Sequence, residues 1–109
     1  MSTAAGRAKA EDARVLDNAD ESRYELWLGD TLAGTIEYAI DVGRIVLIHT
    51  EVEEAFKRRG LGSRLVAAAL ADIRSRGLKM VPACPFVRLY VREHATQRDL
   101  LDGEPAPDD

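Results

Sequence analysis

Residues 57–64 read Lys-Arg-Arg-Gly-Leu-Gly-Ser-Arg, between a β-branched run ending at Val52 and an apolar helical pattern opening at Leu61. The chain must therefore pass from a strand through a basic glycine turn into a helix. Glycine at 60 and 62 lets a ligand approach the backbone without meeting a Cβ. The first turn of a helix leaves N–H groups without carbonyl partners, and its dipole favours an anion there. Lys57, Arg58, Arg59 and Arg64 add positive charge, with no acid among them. The amides of Gly60, Leu61, Gly62 and Ser63 and these four side chains are the candidate site for a pyrophosphate-like group.

The spacing excludes two well-known phosphate loops. A Walker loop needs four residues between its first glycine and a Gly-Lys-Ser/Thr, which this stretch does not supply. The dinucleotide fingerprint needs a third glycine at 65, where Leu65 stands. What remains is Lys57-x-x-Gly60-x-Gly62. It is similar to the acyl-CoA pyrophosphate loop of the GCN5-related N-acetyltransferases, usually Gln/Arg-x-x-Gly-x-Gly/Ala. Lysine at the first position departs from that pattern, keeping the charge but losing the planar fork. Two further runs resemble a small single-domain subfamily of these proteins: His49-Thr50-Glu51-Val52 before the loop, and Cys84-Pro85-Phe86-Val87 after the last strand, followed by Tyr90 and His94. The resemblance covers residues 15–101. It departs after His94, where the subfamily has Pro and an acidic residue and this chain has Ala95-Thr96-Gln97.

At 109 residues the chain is expected to form one domain, residues 13–101, between disordered tails at 1–12 and 102–109. A net charge of −4 gives no domain-wide basic field of the kind a general nucleic-acid binder carries. The basicity is local, which suits a small polyanion. One cysteine cannot form an internal disulfide, and no run approaches the length of a membrane span. With no signal-peptide core at the N-terminus either, the expected location is cytoplasmic. One cysteine and two distant histidines give too few ligands for zinc.

The pattern predicts a short strand at Arg14–Asp17, a strand at Tyr24–Leu28, a turn at Gly29-Asp30, and strands at Thr31–Ile40 and Arg44–Val52. Leu61, Leu65, Ala69, Leu70 and Ile73 fall on one helical face, with Gly77 as the stop. A short strand at Leu78–Val81 follows. Cys84 and Pro85 then read as N-cap and first position of a last helix running to about His94. This is an α+β, or mixed α/β, arrangement: antiparallel strands, then strand–glycine loop–helix–strand and a C-terminal helix. The resemblance implies a minimal acyl-CoA N-acyltransferase fold.

Four residues are candidates for chemistry. At a helix N-terminus the Cys84 thiolate is favoured, and beside a thioester it could accept an acyl group; the alternative is a small buried residue beside the ligand channel, without covalent chemistry. His49 and Glu51 share one face of their strand, and either could take a proton from an amine. Glu51 also reads as part of a solvated strand end with Glu53 and Glu54, and His49 as a hydrogen-bonded core histidine. Tyr90, on the helix face of Phe86 and His94, could protonate a departing thiolate or serve as a core aromatic. By resemblance, Val52 and its neighbours offer backbone groups to a pantetheine arm, and Cys84, Phe86 and Tyr90 join the cofactor site. The resemblance implies acetyl-CoA as acyl donor and an amine acceptor, small molecule or protein lysine. The alternatives are a non-catalytic acyl-CoA-binding or sensing module, or a nucleic-acid contact through 57–64.

Overall fold

The computed structural model describes residues 13–102; the tail expected at 1–12, and all of the tail expected at 102–109 except Asp102, lie outside the described residues. Asp102 is held in place, its N–H donating to the Met80 carbonyl at 3.0 Å. Five strands form one sheet in sequence order: β1 (Ala13–Asn18), β2 (Arg23–Leu28), β3 (Thr31–Asp41), β4 (Arg44–Val52) and β5 (Lys79–Pro82). The first four pair antiparallel, and β5 joins β4 in parallel after a crossover through helix α1 (Leu61–Ser75). Helix α2 (Pro85–Glu93) follows, and a 3-10 segment (Ala95–Leu100) closes the described chain. The mixed α+β expectation holds, and the expected strand and helix positions agree to within one or two residues.

Alternation on the strands puts Tyr24, Leu26, Leu28, Ile36, Ile45 and Leu47 on one face of the sheet, all almost fully buried. Helix α1 covers that face with Leu61, Leu65, Val66, Ala69, Leu70 and Ile73. Each of the larger apolar side chains contributes about 1.5–3 kcal/mol by burial. Val66 widens the stripe beyond the five positions that the spacing predicts. Val87 and Val91 bring α2 onto the same core. At Gly34 on β3, an added Cβ would stand 3.1 Å from the Glu51 carbonyl and 3.4 Å from Leu65, so glycine lets α1 and β4 close on this point.

The opposite face of the sheet is different. Glu37, His49 and Glu51 are exposed on it, and Ile48 beside them is 45% exposed. Both helices among the described residues lie on the other side.

Two irregularities position the site. The pairing of β3 with β4 runs Tyr38 with Leu47 but Glu37 with His49, so Ile48 is an extra residue on β4. Such a bulge reverses the alternation beyond it. Ile45 and Leu47 face the core; without the bulge His49 and Glu51 would follow them inward. With it, Thr50 and Val52 face the helices, and His49 and Glu51 face the open side. Second, β4 and β5 pair only from Arg44–Lys79 to Leu47–Pro82. Proline has no N–H to extend a ladder, and the chain leaves β5 at that residue. The Cys84 N–H still donates to the Leu47 carbonyl at 3.0 Å. Beyond it the two strands part, leaving the last residues of β4 without a strand partner on this edge among the described residues.

Candidate functional site

The parted edge opens into a groove of about 700 Å³. One wall is the end of β4 and the following turn, His49 to Glu54; the other is the basic loop and the first turn of α1, with Phe86 of α2 closing it. Lys57, Arg58, Gly60, Leu61, Gly62 and Ser63 all line it, as do His49, Glu51 and Val52. The structure thus brings together the loop and strand residues that the sequence singles out 50 positions into the chain.

The loop is shaped for close backbone approach. Arg58 and Gly60 both take left-handed backbone conformations, with φ of 67° and 76°. An added Cβ on Gly60 would meet no protein atom within 4 Å, so within the protein what glycine supplies there is its conformation. The first hydrogen bond of the α1 ladder runs from the Arg64 N–H to the Gly60 carbonyl at 3.2 Å. The N–H groups of Leu61, Gly62 and Ser63 have no carbonyl one turn back, and no acidic residue stands in that turn. Lys57 bridges to Glu54 at 3.2 Å, both side chains well exposed, so it is held at the rim. The Arg59 guanidinium lies 5.4 Å from the centre of the Phe56 ring. Arg59 and Arg64 are not among the groove-lining residues.

Gly62 has a different role. An added Cβ there would stand 2.9 Å from the Phe86 ring and 3.6 Å from Val52. The absence of a side chain lets Phe86 lie against the start of α1 while remaining 41% exposed to the groove.

Cys84 caps α2 from an extended conformation, with Pro85 at the first helical position. It is 3% exposed and lies behind the groove wall. Its sulfur is 3.2 Å from the Thr50 hydroxyl oxygen. Burial opposes ionisation of this thiol, but hydrogen bonding from the Thr50 hydroxyl and from the N–H groups of Val87, Phe86 and Thr50 outweighs it, holding the pKa below its ordinary value.

The remaining candidates divide, and the reading of His49 as a core histidine does not hold, since its side chain is exposed. His49 and Glu51 line the groove from the open face of the sheet, across β4 from Cys84. Tyr90 is not among the lining residues; its ring stacks on His94 with centroids 3.9 Å apart. His94 in turn places Nδ1 at 2.8 Å from the Tyr90 carbonyl.

Sequence reasoning missed Thr50, Glu53, Glu54 and Phe56 as groove residues. For Thr50 a signal existed: alternation sets it opposite His49 and Glu51, a polar side chain aimed at the helices. Its use depends on the bulge at Ile48, for which the residues give no cue. Among the described residues no cluster of three or more His, Cys, Asp or Glu could hold a metal ion, and no helix is long and apolar enough to cross a membrane.

Comparison with known proteins places this geometry. The protein NATD1 of Gallus gallus is 36% identical over 63 residues, a match spanning 57% of each chain. The ribosomal-protein-S18-alanine N-acetyltransferase of Escherichia coli shares the fold, with a TM-score of 0.55 at 16% identity over 83% of this chain and 56% of its own. Ard1 of Thermoplasma volcanium aligns over 54% of this chain and 40% of its own, at 25% identity and a TM-score of 0.47. The chain spans little more than half the length of the Gallus protein it matches. A family model described as GCN5-related N-acetyl-transferase matches residues 23–100, which takes in β2 through the closing 3-10 segment and every groove residue. With the strand–glycine loop–helix unit and the parted β4–β5 edge inside that match, the chain belongs to the GCN5-related N-acetyltransferases.

Proposed function

We propose that the groove binds acetyl-CoA and that the chain transfers its acetyl group to an amine. The observation that carries this reading is the continuity of the groove from the unpartnered edge of β4 to the first turn of α1. A pyrophosphate would rest on the Leu61, Gly62 and Ser63 amides with Lys57 and Arg58 beside it. A pantetheine arm carries amide groups, and these match the backbone N–H and C=O groups on the edge of β4 beyond Leu47. The thioester then lies near Thr50.

Two routes balance chemically. In the direct route the amine nitrogen attacks the acyl carbon, the bond to the CoA sulfur breaks, and the CoA thiolate leaves and takes up a proton from water. The amine's proton passes to His49 or Glu51, which reach the groove from the open face of the sheet. In the covalent route the Cys84 thiolate attacks first and CoA departs as thiolate, to be protonated in the same way. The amine then attacks the S-acetyl carbon, loses its proton to the same bases, and frees the Cys84 sulfur. The acyl carbon must pass Thr50 to reach that sulfur. The open sheet face leaves room for an amine on a small molecule or on a protein lysine.

A second reading, an acyl-CoA-binding module without turnover, is favoured by one observation. Among the described residues no helix covers the face carrying His49 and Glu51, so no second wall encloses an acceptor.

Mass spectrometry of the intact protein with acetyl-CoA, under native and then denaturing conditions, tests these readings. A CoA adduct lost on denaturation supports the groove as the ligand site; with acetylation of an added amine it supports the direct route, and without it the binding module. An acetyl mass that survives denaturation and is absent from Cys84→Ala supports the covalent route. No adduct in either condition overturns acyl-CoA binding.

A further inference from the structure

Cys84 and the groove do not meet directly; Thr50 stands between them. Its side chain touches the sulfur, with its hydroxyl oxygen at 3.2 Å from Sγ, and it lines the groove. The two groove residues that could act as bases, His49 and Glu51, project from the other face of β4, because the bulge at Ile48 turns them away from α2. Neither is placed to take the thiol proton. Activation of Cys84 must therefore come from its own side of the sheet, where the groups at hand are the Thr50 hydroxyl, the N–H groups of Phe86 and Val87 in the first turn of α2, and the Thr50 N–H.

We propose that Thr50 is a positioning residue for Cys84, its hydroxyl fixing the sulfur at the inner wall of the groove and donating a hydrogen bond to it in the thiolate form. The assignment rests on the covalent reading of the site for its use in acyl transfer, but not for its physical content. While the sulfur is protonated, the S–H can donate to the threonine oxygen; once ionised, the sulfur accepts from the hydroxyl, which only has to rotate. The proton lost on ionisation goes to solvent. No base is consumed, and His49 and Glu51 remain available on the opposite face for an incoming amine. The β4 bulge thereby divides the labour: inward from it stands the group that serves the nucleophile, outward from it the groups that serve the acceptor. Valine in place of threonine keeps the β-branched shape and removes only the hydroxyl.

The test is titration of the Cys84 thiolate by its ultraviolet absorbance, taken as the difference from Cys84→Ala, in the unliganded protein and in Thr50→Val and Thr50→Ser. A hydrogen bond to a charged group is worth about 1.5–3 kcal/mol, and 1.36 kcal/mol is one pK unit, so the midpoint in Thr50→Val is expected to rise by roughly one unit or more. Thr50→Ser, which keeps the hydroxyl, is expected to restore it. A midpoint unchanged in Thr50→Val, or left raised in Thr50→Ser, overturns the assignment. Should the valine variant not fold by circular dichroism, Thr50→Ala and Thr50→Ser carry the same comparison. Acetylation of Cys84 by acetyl-CoA is followed separately. Its absence in the wild-type protein would end the covalent reading, while the titration still decides what Thr50 does to the sulfur.

Discussion

The ring of Phe86 occupies the space that a side chain on Gly62 would need, with its edge 2.9 Å from where the Cβ would stand. That contact ties the first turn of α1 to the first turn of α2, and both turns line the groove. Gly62→Ala cannot be accepted without moving the ring. Phe86 is 41% exposed, so it can swing outward. The expected effect on stability is therefore small, about 1 kcal/mol or less, because alanine's better helix propensity offsets part of the displacement. Acetyl-CoA affinity is expected to fall by about tenfold or more, since the displaced ring narrows the groove at the amides meant for phosphate. Thermal denaturation and calorimetric titration with acetyl-CoA, run on the same preparations, separate the two effects.

Arg58 has a left-handed backbone with φ of 67°, a conformation that costs a side-chain-bearing residue about 1–2 kcal/mol. Arg58→Gly removes that cost along with the charge, whereas Arg58→Ala removes the charge and keeps the strain. The glycine variant is expected to be as stable as the wild type or slightly more so, offset in part by greater freedom of the unfolded chain. Both variants are expected to bind CoA more weakly, with a shallower dependence of affinity on salt. If binding is unchanged in both, the guanidinium has no part in holding phosphate.

Much of this arrangement was legible in the residues, and the parts that were not have a common physical origin. Local chemistry marks its own position. Gly60 and Gly62 announce the turn, Cys84-Pro85 the start of α2, Gly77 the end of α1, and Leu61 to Ile73 the buried stripe. Relations between strands do not. The bulge at Ile48 depends on the register with Glu37 and Tyr38, and nothing in Ile45–Val52 alone reveals it. It decides which of His49, Thr50 and Glu51 meets Cys84, so the residues alone offer His49 and Glu51 as candidates and do not reveal Thr50 as the contact. Tyr90 illustrates the same limit. Its helical face was correct, and its partner on that face is His94. The meander also has four antiparallel strands ahead of the glycine loop, the short β1 pairing along its full length with β2.

Glu25 is the buried charged residue among those described, 4% exposed on the face of the sheet that the helices leave open. Its carboxylate accepts from Asn18 at 2.9 Å, Arg23 at 2.7 Å and Trp27 at 3.0 Å, so its neighbours on that face enclose it. Burial alone would raise its pKa, but hydrogen bonds from Asn18, Arg23 and Trp27 and the charge of Arg23 outweigh that and hold it below the ordinary value of 4.5. A depressed carboxyl adds stability that is fully present above 4.5 and is lost as the pH falls through the folded-state pKa. Glu25→Gln keeps the shape and is expected to cost about 1–3 kcal/mol near neutrality, chiefly through the charged hydrogen bond to Arg23. The difference from the wild type should shrink as the pH is lowered below 4.5. Urea denaturation across that range measures it, and a difference independent of pH would show that the carboxylate's charge does not contribute.

Tyr24 and Tyr38 lie with ring centres 5.3 Å apart under the C-terminal end of α1. Tyr24 donates to Asp72 at 2.7 Å and Tyr38 to Asp17 at 2.6 Å, and Arg76 bridges both carboxylates at 3.2 and 3.1 Å. The chain of bonds pins β1, β2 and β3 to the helix far from the groove. Burial, then hydrogen bonding to the neighbouring aspartate and its charge, raises both phenol pKa values, that of Tyr38 to about 12 and that of Tyr24 further. The sign follows from linkage. A folded-state pKa raised above the ordinary 10.0 gives stability fully present below pH 10.0, which is lost as the pH rises toward 12 and beyond. The wild-type protein is therefore expected to lose stability steadily above pH 10.0. Tyr38→Phe removes one titrating group and one hydrogen bond. It is expected to be about 1 kcal/mol less stable at neutral pH and to lose less on going alkaline, so the two stability curves converge. Curves that stay parallel to the highest pH at which the fold survives would mean that Tyr38 ionises as easily folded as unfolded, and would remove Tyr38 as a source of alkaline sensitivity.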